Sequence, residues 1–110
     1  MNVLLDESVP KALGFRLTGH HVRSVQAMGW SGLENGKLLQ AMSAQFDVLI
    51  TCDQNIDYQQ NPNLPVALLV LVAPDNRVST IVEFVPEILV ALGVLQCGQV
   101  RRIFHGAGSE

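Results

Sequence analysis

Two short apolar runs in this chain each end on a carboxylate. Asn2-Val3-Leu4-Leu5 leads straight into Asp6-Glu7, and Asp47-Val48-Leu49-Ile50-Thr51-Cys52 leads into Asp53. Runs this short and this rich in Val, Leu and Ile are what strands buried on both faces require. In a parallel sheet flanked by helices, the carboxyl ends of all strands open on one side, where ligands bind. Asp6 and Asp53 are therefore expected in one crevice. If their strands are neighbours, the backbones lie about 4.8 Å apart. Two carboxylates so placed repel unless a positive charge lies between them, and a divalent metal is the usual solution. Asp6→Asn is accordingly expected to weaken metal binding and to raise the stability of the metal-free protein.

The rest of the chain alternates strand-like and helix-like segments. Ser8 is placed to cap a helix with Pro10 in its first turn and Leu13 and Leu17 inward, ending at Gly19. His21 to Val25 reads as a second strand, and Met28 to Leu33 as a loop. Asn35 is expected to cap a helix to about Ala44, with Leu38, Leu39 and Met42 inward. Val48 to Thr51 is the third strand. Gln54 to Pro65 is a polar connection, with one helical turn near Ile56 to Gln59. Val66 to Val72 is the fourth strand. Thr80 and Glu83 suggest a capping box for a helix to about Leu92, which Pro86 should kink or split. Val100 to Phe104 is the last strand, and Arg101 and Arg102 suit an edge.

This order predicts an α/β domain: an open, mainly parallel sheet with helices on both faces, in three layers. Right-handed crossovers place strands one and three side by side, so the switch point falls between Asp6 and Asp53. A chain of 110 residues makes one domain, 1–105, with 106–110 as a frayed tail.

Composition narrows the function. The net charge is −3 and no basic run exists, which argues against gripping long duplex through a basic face. A nucleic-acid substrate would be met at a small site, with metal ions supplying positive charge. Cys52 and Cys97 have no metal-ligand spacing and read as small buried apolar residues. His20, His21 and His105 are not spaced for a metal. The chain shows no signal peptide and no membrane span, so a cytoplasmic location is expected.

Around the paired acids, further candidates gather. Thr51 can bond a ligand or water from its strand end. Asn55 and Asp57 follow on the same connection, and Glu34 and Asn35 open the second helix at the same sheet edge. Arg77 follows strand four, where it could meet a phosphate. Glu7 is expected to point the other way, into solvent.

The segments Val-Leu-Leu-Asp-Glu-Ser-Val-Pro at 3–10, Gly29-Trp30-Ser31-Gly32 before the second helix, and Val-Leu-Ile-Thr-Cys-Asp-Gln-Asn at 48–55 resemble the short stand-alone PIN-like proteins, relatives of VapC-type toxin nucleases. Their pattern looks like L-D-E-N-L-P in strand one and T-x-D-x-D-F after strand three. The resemblance runs through the Ala-Pro-Asp-Asn-Arg turn at 73–77. It implies a PIN fold and Mg²⁺- or Mn²⁺-dependent cleavage of RNA phosphodiesters. Asp6 and Asp53 match the acidic positions, with Asp57 as a further metal ligand and Glu34 as a catalytic helper. A small antitoxin protein and a homodimer are implied as partners. Two departures stand out: Asn35, with Glu34 beside it, replaces an aspartate, and so does Asn55, with Asp57 two residues on. They keep open a catalytically degenerate scaffold that binds RNA or a partner without cutting. A receiver-like signalling module would share the acids at 6, 7 and 53. It would also need a hydroxyl residue closing strand four and a lysine closing strand five, where this chain has Val72-Ala73-Pro74 and Phe104-His105.

Overall fold

The computed structural model describes residues 1–53 and 65–105. The expected turn near 56–59, the candidates Asn55 and Asp57, and the tail 106–110 lie outside the described residues. Among the described residues five strands form: β1 (Asn2–Leu5), β2 (His21–Ser24), β3 (Val48–Thr51), β4 (Ala67–Val72) and β5 (Val100–Phe104). They make one sheet in the order β2-β1-β3-β4-β5. All four pairings are parallel, with Leu5 opposite Ser24 on one side and Ile50 on the other. The chain steps outward from β1 to β2, then crosses back to β3. The carboxyl ends of β1 and β3 therefore flank the switch point, as the buried-strand pattern predicts.

Alternate strand residues feed two cores. Val3, Leu5, Val48, Ile50, Leu69 and Leu71 face a layer built by Val9, Leu13, Leu17, Ile81, Phe84, Ile88 and Leu92. Leu4, Leu49, Val66 and Leu68 face the other way, onto Leu38, Leu39, Met42 and Phe46. Helical segments thus cover both faces of the sheet. Leu4 and Ile50 have no exposed surface, and burying such a side chain stabilises the fold by about 1.5–3 kcal/mol. Among the described residues, no helix is long and apolar enough to cross a membrane.

The helices depart from the sequence pattern in instructive ways. Lys11–Arg16 is a 3-10 helix and not the expected α-helix, although Leu13 and Leu17 are buried as expected. Its closing bonds run from Leu13 N–H to Pro10 O and from Leu17 N–H to Gly14 O, three residues back. Six residues carrying a glycine are too few to favour the wider helix. Helix α1 is Asn35–Met42, shorter than the pattern suggests, and its cap position is Glu34 rather than Asn35. Glu34 keeps extended backbone angles while its carbonyl accepts the Leu38 N–H at 2.8 Å.

The expected capping box at Thr80 does not form, because the helix has already begun. Helix α2 is Val78–Ile81 with Arg77 at its cap. The Asp75 carboxylate accepts the Arg77 N–H at 2.9 Å. That bond, then one from Thr80, holds the exposed Asp75 below the usual carboxylate range. A 3-10 turn, Val82–Phe84, separates α2 from helix α3 (Val85–Val94). Pro86 causes this split: it lacks an N–H, and its ring excludes a regular helix behind it. β5 is an edge strand with Arg101 and Arg102 exposed, as expected. Cys97, expected inside, is exposed in the turn that follows α3.

Candidate functional site

Asp6 is the first residue beyond β1, and its N–H still bonds to Ile50 O on β3 at 3.1 Å. Asp53 lies two residues beyond β3. Parallel pairing therefore places both acids at the same end of adjacent strands. They line one cavity of about 420 Å³, together with Glu7, Ser8, Trp30 and Leu33. Trp30 meets Phe46 edge-on, with centroids 6.0 Å apart, which anchors the apolar side of the cavity to the core.

Asp6 organises the polar side. Its Oδ1 accepts the Ser8 N–H at 2.9 Å and the Ser8 hydroxyl at 2.5 Å. Its Oδ2 accepts the Thr51 hydroxyl. Each hydroxyl, having given its proton to Asp6, accepts an amide in turn. Cys52 N–H donates to Ser8 Oγ at 3.0 Å, and Asp53 N–H donates to Thr51 Oγ1 at 3.0 Å. Two short chains, each amide to hydroxyl to carboxylate, converge on one charge and polarise each other. The two hydroxyl oxygens lie 3.4 Å apart, and with both protons committed to Asp6 this contact is not a bond between them.

The arrangement leaves Asp6 a limited donor set. Two donors occupy both lone-pair directions of Oδ1, whereas Oδ2 takes one and keeps a second for a water or cation. It also reverses the expectation that Asp6→Asn stabilises the metal-free protein. An amide cannot accept three donors on two oxygens, so the substitution breaks this network and should cost stability.

Glu7 is exposed, as expected, yet it also touches the site. It lines the cavity, and its Oε1 accepts the Gly32 N–H at 3.0 Å. Gly32 has φ +84°, a conformation side chains disfavour, which lets the 29–33 loop present that N–H to Glu7. The spaced glycines were the sequence signal for this contact. Asn76 was missed altogether: its Nδ2 donates to Ser8 O at 3.4 Å, bringing the turn after β4 against the site.

Cys52 stands beside the acids with its thiol pushed up to about 11. Burial is the largest cause, the Asp6 charge adds to it, and the Ser8 hydroxyl opposes both. It is therefore a protonated, inert neighbour at neutral pH.

Thr51 belongs to the site, bonded to Asp6 and fully buried. Glu34 and Arg77 are exposed at the caps of α1 and α2 and do not line the cavity. Asn35 is the first residue of α1. Among the described residues, no group of three or more His, Cys, Asp and Glu could hold a metal ion. Asp6 and Asp53 offer a two-carboxylate set, which suits a hard cation that keeps most of its waters.

No protein-family model, curated protein or solved structure matches this chain.

Proposed function

We propose that this chain is a PIN-like, metal-dependent ribonuclease acting at the Asp6–Asp53 cavity. Its main support is the placement of those two acids at the carboxyl ends of adjacent parallel strands, in one cavity at the switch point. Asp6 and Asp53 would hold Mg²⁺ or Mn²⁺. Bound there, the ion would polarise a scissile phosphate and acidify a bound water.

The protein's own groups prepare that site. Ser8 and Thr51 hold the Asp6 carboxylate in one orientation through three donated bonds. Trp30 and Leu33 form an apolar wall that limits water on one side. Glu7 ties the 29–33 loop to the rim. Asp57 and Glu34 remain helpers on this proposal, by their place in the chain.

A second reading, a degenerate scaffold, draws on a specific feature. Three of the four lone-pair directions of Asp6 are taken by the protein itself, and Asn stands at 35 and 55.

The two separate in one experiment on wild type and Asp53→Asn, reading Mn²⁺-induced thermal stabilisation and cleavage of single-stranded RNA. The nuclease reading expects both in wild type and neither in the variant. Metal stabilisation without cleavage under any divalent ion selects the scaffold. Equal stabilisation of both proteins removes Asp53 from the site.

A further inference from the structure

A second cavity, of about 400 Å³, lies between the 3-10 helix and the outer edge of β2. Lys11 and Phe15 line it from the 3-10 helix, His20 from the following turn, and His21 and Arg23 from β2. Among the described residues no Asp or Glu lines it, although the chain as a whole is acidic at −3. Local charge here opposes the net charge, the mark of a surface suited to an anionic partner.

Among the described residues Phe15, at 88 % exposed, is the most exposed of the large apolar side chains. Its position follows from Gly14: a Cβ there would come within 3.1 Å of Val22 Cγ1. The 3-10 helix thus lies against β2 through a glycine, and the next residue projects outward. Main-chain bonds from His21 N–H to Met1 O and from Val25 N–H to Leu5 O turn the odd-numbered residues of β2 toward β1. In a parallel ladder the groups of Val22 then face the open edge.

We propose that this groove binds single-stranded RNA, with Phe15 stacking on a base and Lys11 and Arg23 meeting phosphates. Exposed aromatic and flanking cations are the two parts a single-strand groove requires. The groove ends near the acids. Leu5 and Ser24, the last residues of β1 and β2, line it, whereas Asp6 and Val25, which follow them, line the acidic cavity on the face that α1 covers. A strand held along β2 would pass over the carboxyl edge of the sheet to enter the Asp6–Asp53 site. The choice of RNA rests on the ribonuclease reading.

The test is anisotropy of a short fluorescein-labelled oligouridylate, titrated in EDTA so that binding is read without cleavage. Phe15→Ala should weaken binding about tenfold or more, and Phe15→Trp should retain it. Lys11→Gln with Arg23→Gln should lower the salt slope by about 1.4. Arg101→Gln with Arg102→Gln, at the opposite edge, should change neither. All these side chains are exposed, so the variants should fold. Wild-type affinity in Phe15→Ala and in the Lys11/Arg23 variant overturns the groove. So does an equal loss from the β5 arginines. Wild-type protein that ignores the RNA but binds polyglutamate overturns it in favour of an acidic protein partner. If binding depends on Phe15 yet no divalent ion supports cleavage, the nuclease reading fails and the groove stands. Cleavage indifferent to Phe15 does the reverse.

Discussion

Thr51 on β3 donates its hydroxyl to the Asp6 carboxylate just beyond β1, 45 residues earlier in the chain. Thr51 has no exposed surface, so its hydroxyl has no water to turn to. The bond joins the ends of two parallel strands that share no turn. Thr51→Val keeps the shape and removes the donor, and it also strips the Asp53 N–H of its acceptor. We expect a loss of about 1.5–3 kcal/mol in urea unfolding, with Thr51→Ser close to wild type. Equal midpoints for Thr51→Val and wild type would show the bond to be incidental.

Cys52 gives a pH signature. Its thiol is raised from 9.0 to about 11 by burial and then by Asp6, so the folded protein holds this proton more tightly than the unfolded chain. The associated stability is complete below about pH 9 and is lost as pH rises toward about 11. The alkaline decline in melting temperature should therefore be shallower in Cys52→Ala than in wild type. Asp6→Asn removes the second cause, so in that background Cys52→Ala should change the decline less. At neutral pH, iodoacetamide should modify the exposed Cys97 well before Cys52. Faster modification of Cys52 would contradict the assignment.

Glu7→Ala should release the Gly32 amide. The bond is exposed, so the loss of global stability should be small, about 0.5–1 kcal/mol. The local effect should be larger: faster hydrogen exchange at Gly32 and a shifted Trp30 emission, since both residues belong to the loop that Glu7 holds. An unchanged Gly32 exchange rate would remove Glu7 from the cavity rim.

Gly14→Ala tests the close approach to β2. The new methyl must displace Val22 by a few tenths of an ångström, and overpacking of this kind costs about 1–3 kcal/mol. Val22→Ala should cost stability alone yet rescue Gly14→Ala when combined with it. Simple additivity in this cycle would mean that the two side chains do not compete for the same space.

Much of the fold is legible in the residues. The runs 3–5 and 48–50 are apolar at every position, as burial on two faces requires, and each leads to an acid shortly past its strand's end. Alternation with helical segments then forces a parallel sheet and a crossover, which brings Asp6 beside Asp53. Pro86 announces the split between α2 and α3 because a missing N–H is a local property. Arg101 and Arg102 likewise mark β5 as an edge.

The site's inner chemistry was not legible in the same way. Ser8 has the spacing of a helix cap, and Glu7 the look of a solvated neighbour. Whether a hydroxyl caps a helix or binds a carboxylate depends on which acceptor lies within bonding distance. For Ser8 that acceptor is Asp6, and the Cys52 N–H that completes the arrangement comes from a strand 44 residues away. Glu7 stays exposed but is held at the cavity rim because a glycine at φ +84° offers it an N–H from a loop 25 residues on. Periodicity and local propensity, read from the sequence alone, determined the strands, the layers and the pairing of the two acids. Only the tertiary structure decided which hydrogen bonds those acids accept, because donors from distant segments become neighbours only once the sheet has closed.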